Sequence, residues 1–205
     1  MERPNLLIIG AGGVGAVTAH KAVQHQDAFG RIILASRTET KLKRIGKAVA
    51  AQHADSPLET TTLNARDVAA LTDFLRANEI AIVINVASTY CNTAVMDACV
   101  AAGAHYIDTS VAEDEHAENV GAPWYANHEW PRRAAFAEKK LSALLSIGFD
   151  PGVVNVFCAY AAQHLFDTIE TIDIIDVNGG DHGRFFATNF DPDVNLREIK
   201  EDVIF

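Results

Sequence analysis

Hydrophobic and polar positions change along the chain in short blocks, which predict strands and helices in turn. Most of the strand-like runs are continuously apolar and too short for helices, as is typical of parallel strands covered on both faces. The runs predict strands at residues 5–9, 31–36, 58–63, 80–85, 105–110 and 141–147. Stretches with helical spacing predict helices at residues 14–24, 38–53, 67–77, 93–102, 134–139 and 153–166. This alternation predicts an α/β fold, a doubly wound parallel sheet.

The pattern changes beyond residue 166. Residues 169–177 alternate apolar with polar side chains, and a period of two suits an antiparallel strand with one wet face. We therefore predict a Rossmann domain over residues 1–166 and the start of a second, α+β sheet domain over residues 167–205. Residues 111–131 are acidic and aromatic without a sustained period, and they form either a loop over the site or a solvated surface loop.

The first predicted strand runs into a glycine-rich turn, Gly10-Ala11-Gly12-Gly13-Val14-Gly15. Gly10 suits the tight turn, Gly12 leaves room for a pyrophosphate, and Gly15 lets the next helix pack closely on the strand. The N–H groups of a helix that begins near Gly13 and Val14 would bind the phosphates. An ordinary glycine turn is the alternative. The strand before the motif and the helix after it favour a dinucleotide site.

The end of the second strand indicates which dinucleotide is bound. Sites for NAD commonly carry an acidic residue there, which accepts hydrogen bonds from the adenosine ribose. This chain has Ser36, Arg37 and Thr38 instead, and Lys41 follows one helical turn later. Because Arg forms forked, charge-assisted hydrogen bonds with phosphate oxygens, these residues predict binding of the 2′-phosphate of NADP or NADPH. The alternative is an ordinary solvated helix start.

The ends of three later strands complete the predicted cofactor site, because ligands of such sheets bind at the carboxyl ends of the strands. The loop after the third strand lies beside the adenine, although Asp67 there is equally suited to cap the next helix. Small residues after the fourth strand allow a nicotinamide ribose to approach the backbone. The predicted contacts are Asn64, Ala65 and Asp67 after the third strand, Val86, Ala87 and Ser88 after the fourth, and Asp108 in the fifth.

Composition and charge exclude several other classes of function. The 205 residues carry a formal net charge of −10, with a pI near 5.2, and this charge disfavours nucleic acid or an anionic membrane as partner. No apolar run is long enough to cross a membrane and no signal-peptide pattern is present, so we expect a cytoplasmic protein. The three cysteines lack metal-type spacing, and no metal site is predicted.

Six short motifs together resemble the saccharopine dehydrogenase family. Two of them are more specific than the glycine turn: the GFDPG loop marks the family, and the last motif, with the FATNF that follows it, points to a polyamine branch. The motifs are GAGGVG at 10–15, ASRT at 35–38, NVAS at 85–88, YIDTS at 106–110, GFDPG at 148–152 and VNGGDHG at 177–183.

The resemblance implies an NADPH-dependent reductive condensation in polyamine biosynthesis. L-aspartate β-semialdehyde would form an imine with 1,3-diaminopropane or putrescine, and its reduction would give carboxynorspermidine or carboxyspermidine. An acidic surface suits a cationic diamine. The alternatives are a saccharopine-forming or homospermidine-forming relative, and a non-catalytic NADP-binding module.

The resemblance also suggests catalytic residues. Asp150, in the family loop, is the first candidate for a carboxylate that faces the amine or iminium, although an Asp-Pro turn that only shapes the backbone is the alternative. Asn155 would orient the same ligand or the nicotinamide amide. Tyr90 either faces the reacting centre or caps the sheet edge, and His182 is a weaker candidate for proton transfer.

Family members of this type are about twice as long, with a sheet-based substrate domain after the Rossmann domain. The resemblance therefore covers their N-terminal half. We expect the 205-residue chain to bind cofactor without turnover, and the full-length protein to be a homodimer.

Overall fold

The computed structural model describes residues 3–53, 55–116, 128–175, 177, 183 and 192–200. Thirteen regular elements follow one another along these residues, and three short 3-10 helices join them at Gln26–Ala28, Thr89–Cys91 and Trp130–Arg132. The strands are β1 (Asn5–Ile9), β2 (Ile32–Ser36), β3 (Leu58–Thr62), β4 (Ile80–Asn85), β5 (His105–Asp108) and β6 (Ala143–Leu144). The helices are α1 (Gly13–Gln24), α2 (Glu39–Gln52), α3 (Val68–Ala77), α4 (Asn92–Ala102), α5 (Arg133–Glu138), α6 (Val153–His164) and α7 (Pro192–Lys200).

The six strands form one parallel sheet in the order β3-β2-β1-β4-β5-β6. Strand β1 lies at the centre, where Leu6 pairs with Ile32 of β2 and Ile9 pairs with Asn85 of β4. From β1 the chain adds β2 and β3 toward one edge of the sheet, and it then returns to the centre and adds β4, β5 and β6 toward the other edge. The direction of strand addition therefore reverses between β1 and β4. This arrangement confirms the predicted doubly wound parallel sheet.

Two apolar clusters cover the two faces of the sheet, because successive side chains of a strand point to opposite faces. Leu7 and Ile9 of β1 pack in the cluster that includes residues of α3 and α4, whereas Leu6 and Ile8 pack with residues of α1 and α2. Burial on both faces explains why β1, β2 and β4 are almost continuously apolar.

Strand β6 is much shorter than predicted. It pairs with β5 only through Ala143 and Leu144, although the apolar run predicted a strand at 141–147. The ladder ends because Ser146 has a positive φ of 57° and its N–H donates to the carboxylate of Asp108 at 2.5 Å. A side chain of β5 therefore takes the hydrogen bond that a longer strand would have used.

The prediction of a strand at 169–177 is wrong for residues 169–175, which the structure leaves without regular structure. A strand needs a neighbouring strand to satisfy its backbone groups, and no described segment pairs with this one. Its apolar side chains are exposed, at 57% for Ile172 and 83% for Ile175. Helix α6, just before it, contains no buried residue.

Candidate functional site

A cleft of about 1410 Å³ runs along the carboxyl ends of the strands. Its walls come from the loops that follow all six strands, with Pro192 and Val194 of α7 as a further contribution. It crosses the sheet between β1 and β4, where the chain order reverses. Ligands of doubly wound sheets bind at this switch point.

The glycine turn combines two close backbone approaches with one open position. Gly10 has a φ of +119°, and a Cβ atom there would lie 2.6 Å from the carbonyl oxygen of Val86. A Cβ atom at Gly15 would lie 1.9 Å from the carbonyl oxygen of Gly10. At Gly12, by contrast, a Cβ atom would meet nothing within 4 Å. Gly10 and Gly15 are therefore required for packing, and Gly12 keeps a space open in the cleft wall.

The amino end of α1 forms the wall beside that space. Gly12 is the N-cap, and Gly13 and Val14 line the cleft. The first turn contains no acidic residue. The first N–H groups of a helix have no partner inside the helix, and the helix dipole is positive there. The open space at Gly12 thus adjoins a favourable position for an anion, and the turn fits a pyrophosphate.

Two cations line the cleft at the end of β2. Arg37 and Lys41 are both exposed, and none of the ion pairs found in the described residues involves either of them. Lys43, by contrast, is paired with Glu39 at 2.7 Å. Ser36 and Thr38 also line the cleft. A hydroxyl-rich turn with two unpaired cations suits a phosphate group.

The loop after β3 supplies the next part of the wall. Asn64 and Ala65 line the cleft, together with Arg66. Asp67 does not line it, because its carboxylate caps α3 by accepting from the N–H of Ala70 at 3.0 Å. The capping alternative for Asp67 is therefore confirmed, and its predicted contact with adenine is not supported.

Arg66 is a wall residue that the sequence interpretation missed. Its guanidinium forms an ion pair with Glu115 at 2.7 Å and lies 6.0 Å from the centre of the Tyr90 ring. Tyr90 itself does not line the cleft, so its predicted position at the reacting centre is not supported. The only signal for Arg66 was its place in a loop already assigned to the adenine.

The other half of the cleft is lined by small residues and by the family loop. Val86, Ala87 and Ser88 line it after β4, and Asp150 lines it after β6. Asn155 does not line it, because its side chain turns back to accept from the N–H of Gly152 at 2.9 Å and caps α6. His182 lies outside the described residues.

Asp108 is the clearest departure from the predicted site. Its side chain is completely buried and does not line the cleft, because it shares a face of β5 with Tyr106 two residues earlier and points into the cluster under α4. Burial raises the pKa of this carboxyl from 3.8 to about 6, against the opposing effect of hydrogen bonds from Ser146 and Tyr106. The sequence did contain a signal for this position, because side chains alternate between the two faces of a strand and Tyr106 and Asp108 are two residues apart.

The segment after β5 was predicted only as a loop with two alternatives. Residues 109–113 line the cleft, which supports a place over the site for the start of this loop. Ala112 is fixed there because its N–H donates to the buried carboxylate of Glu129, and burial raises the pKa of Glu129. Residues 117–127 of the predicted loop lie outside the described residues.

The described ranges contain neither a metal-binding cluster nor a membrane-spanning helix. No group of three His, Cys, Asp or Glu side chains there is placed to hold a metal ion. None of the helices described is both long and apolar enough to cross a membrane.

Known proteins similar to this chain were found by sequence. The chain is 43% identical over 205 residues to the carboxynorspermidine synthase of Vibrio cholerae serotype O1, and the match covers 98% of this chain and 50% of that protein. It is 43% identical over 197 residues to the carboxyaminopropylagmatine dehydrogenase of a Synechocystis species, covering 96% of this chain and 47% of that protein. The chain spans about half the length of the curated relatives it matches.

A solved structure and a family model agree with these matches. The apo saccharopine dehydrogenase (L-Glu forming) of Saccharomyces cerevisiae superposes with a TM-score of 0.60, at 17% identity, over 79% of this chain and 31% of that one, a likeness of fold. The model of the saccharopine dehydrogenase NADP binding domain matches residues 6–144. The chain therefore belongs to the saccharopine dehydrogenase family and contains its NADP-binding domain.

Proposed function

We propose that this chain is the cofactor-binding half of an NADPH-dependent oxidoreductase of polyamine biosynthesis. The observation that carries the proposal is 43% identity, across nearly the whole chain, to a carboxynorspermidine synthase. The cleft supports it, because one continuous wall joins the glycine turn, the cations after β2 and Asp150 of the family loop.

The proposed cofactor position follows from the chemistry of each wall. The pyrophosphate lies at the amino end of α1, over Gly12, and the 2′-phosphate lies between Arg37 and Lys41. The adenine contacts the loop at 64–65. The nicotinamide then extends across the switch point to the residues 86–88 that follow β4. The half of the sheet formed by β4, β5 and β6 is thus the nicotinamide half.

The proposed reaction joins an aldehyde and a primary amine. L-aspartate β-semialdehyde and a diamine condense to an imine with loss of water, and reduction of the C=N bond, with uptake of one proton on nitrogen, gives a secondary amine. NADPH supplies the hydride when it is bound. The chain contributes the orientation of the ring and a carboxylate, Asp150, that lines the cleft and favours a protonated imine nitrogen by its charge.

The second relative adds a third candidate amine. A dehydrogenase named for carboxyaminopropylagmatine is as similar to this chain as the synthase is, so agmatine joins 1,3-diaminopropane and putrescine as a candidate. NADPH oxidation with L-aspartate β-semialdehyde should be measured with each amine in turn, on the 205-residue chain and on the product of its intact gene. Activity of the intact gene product with one of the three amines, together with no turnover by the 205-residue chain, supports the proposal. Cofactor binding without turnover in the intact gene product favours the non-catalytic alternative.

We divide the chain, within this proposal, into a cofactor domain at 1–166 and the start of a substrate and dimerisation domain at 167–205. The exposed apolar side chains of Ile172, Ile174 and Ile175 support the division, because a second sheet would cover them. A variant that contains residues 1–166 alone should unfold in one cooperative thermal transition. A broad, non-cooperative transition would contradict the division.

A further inference from the structure

Five polar side chains are buried together under the nicotinamide half of the cleft. We call them the Asp108 cluster: Asn85, Asn92, Tyr106, Asp108 and Ser146, none of which is more than 5% exposed. They come from β4, from the first turn of α4, from β5 and from the residues just after β6. Buried polar groups on this scale are costly unless each finds a partner, so their arrangement requires a physical reason.

The hydrogen bonds of the cluster converge on one acceptor. The side-chain amide of Asn85 donates to the Tyr106 hydroxyl at 3.3 Å and to Asn92 Oδ1 at 2.9 Å. Tyr106 and Asn92 in turn donate to Asp108 Oδ2, at 2.9 and 3.3 Å. The other carboxylate oxygen accepts from the N–H of Ser146 at 2.5 Å. Asp108 thus accepts at both oxygens and is the end point of the network.

Each end of the network holds a segment of the cleft wall. Asn85 Oδ1 accepts from the N–H of Ala87, and Asn92 donates to the carbonyl oxygen of Ser110. The bond from Ser146 fixes the residue before Ile147, whose own N–H donates to the backbone oxygen of Asp108 at 2.9 Å. Ala87, Ser110 and Ile147 all line the cleft. The loop after β6 is therefore bonded to the buried carboxylate directly, and the other two loops are linked to it through Asn85 and Asn92.

We propose that Asp108 is a positioning residue, which holds these three loops in the geometry that orients the nicotinamide ring without touching the cofactor. The proposal rests on the cofactor orientation given above and is independent of which amine is used. The phosphate-binding half of the site is formed by other residues, those of the glycine turn and those at the end of β2. A substitution of Asp108 should therefore weaken the binding of the nicotinamide half of the cofactor and leave the binding of the adenosine 2′-phosphate half unchanged.

The substitution Asp108→Asn tests this because an amide has only one acceptor oxygen. In one orientation its NH₂ group would face the donors Tyr106 and Asn92, and in the other it would face the N–H of Ser146. Two donors would meet in either orientation, although the shape of the side chain is kept. We expect the three loops of the cleft wall to move, while the two apolar clusters stay unchanged.

The experiment compares two ligands in the 205-residue chain. Adenosine 2′,5′-bisphosphate carries the adenosine and 2′-phosphate of the cofactor and no nicotinamide. Its Kd should stay within about twofold of wild type in Asp108→Asn, because the change is distant from its subsite. The Kd for NADPH should rise by about fivefold or more, as expected from the loss of oriented contacts. The emission spectrum of NADPH bound at saturation should move toward that of free NADPH.

One variant outside the cluster serves as the control, and a second variant within the cluster repeats the test. Asn5→Ala removes hydrogen bonds with Arg31 and Asn78 at the opposite, amino end of the sheet. It should lower the stability of the fold, while the Kd values of both ligands and the emission of bound NADPH stay as in wild type. Tyr106→Phe removes only the hydroxyl that donates to Asp108, and it should give a smaller shift of the same emission. It also provides the test if Asp108→Asn does not fold.

Three outcomes would overturn the proposal. The first is an unchanged emission spectrum of bound NADPH in both cluster variants. The second is an equal rise in the Kd of both ligands in Asp108→Asn. The third is an emission spectrum of NADPH bound to wild type that is already identical to that of free NADPH. Failure of wild type to bind adenosine 2′,5′-bisphosphate would contradict the proposed cofactor orientation as well, and the assignment of Asp108 with it.

Discussion

The backbone of Gly15 lies directly against that of Gly10, so that a Cβ atom at position 15 would stand 1.9 Å from the Gly10 carbonyl oxygen. This contact holds the first turn of α1 against the end of β1. In Gly15→Ala the helix must tilt away from the strand, and the amides proposed to bind the phosphates move with it. We expect a loss of about 1–3 kcal/mol in the free energy of unfolding, as for overpacked cores, and a weaker Kd for NADPH.

The matched control for that change is Gly46→Ala, in the middle of α2. A Cβ atom there would make an ordinary contact, 3.6 Å from Thr60 Cγ2, and the helical backbone accepts alanine readily. Urea denaturation should show a gain of about 0.4–1 kcal/mol, with unchanged NADPH binding. Equal stability losses in the two variants would contradict the close approach of Gly10 and Gly15.

Gly12→Val should leave the fold intact and abolish cofactor binding. A Cβ atom there would meet no protein atom within 4 Å, and Gly12 already has an extended backbone at φ −86° and ψ −163°, which valine adopts without strain. It would occupy the space assigned to the pyrophosphate. Circular dichroism and thermal unfolding should match wild type, whereas titration with NADPH should give no binding. Retained affinity would show that the phosphates lie elsewhere.

Arg37→Ala should reduce the preference for NADPH over NADH. A charge-assisted contact with the 2′-phosphate is worth about 1.5–3 kcal/mol, and it has no counterpart in NADH. Lys41→Ala should act in the same direction. The control is Lys43→Ala, which removes a cation of the same helix that is already paired with Glu39. Equal affinity of wild type for the two cofactors would refute the assignment.

The buried carboxyl of Asp108 should make stability depend on pH in an unusual sense. Its pKa in the folded state, about 6, lies above the ordinary value of 3.8, so the folded protein binds more protons than the unfolded chain between these values. Stability from this group is therefore greatest below about pH 4 and is lost as the pH rises through 6. Relative to Asp108→Asn, wild type should lose up to ~3 kcal/mol of unfolding free energy over that range.

Other titratable groups lie near Asp108 and its partner Tyr106. Burial raises the pKa values of Tyr106 and of the nearby Cys99, so both stay protonated below pH 7. Glu129 is a second buried carboxyl whose pKa is raised, and it titrates in the same sense. Urea denaturation of wild type, Asp108→Asn and Glu129→Gln at several pH values separates the two. A pH-independent difference between wild type and Asp108→Asn would contradict the raised pKa.

Most of the sheet could be predicted from the sequence because β1, β2 and β4 are buried on both faces, and continuous apolar runs report that burial directly. The glycine turn could be predicted for a similar reason, since its constraints are local. Asp67 and Asn155 could not be separated from ligand contacts, because a polar side chain at a helix start suits either role. The alternation of β5 placed Asp108 on the same face as Tyr106, but which face of β5 is covered is a property of the whole fold.

Two errors in the predicted elements have the same origin. The run at 141–147 has the composition of a strand, but a carboxylate from β5 captures the N–H of Ser146 and ends the ladder early. The alternation at 169–177 also has the period of a strand, but the described residues supply no partner for it. Strand propensity is a property of the segment, whereas a strand requires a neighbour.

The two-residue pairing of β6 with β5 has a consequence for how the molecule opens. Local unfolding begins where few backbone hydrogen bonds hold an element, and the sheet edge at Ala143 and Leu144 is the weakest on that criterion, while β1 at the centre is the strongest. Amide protons near β6 should therefore exchange with solvent early and those of β1 last. A bound ligand should therefore stabilise the cleft wall after β6 more than any other part of the cleft. Slower exchange of the backbone amides at 146–150 on addition of NADPH would then indicate that the nicotinamide binds there.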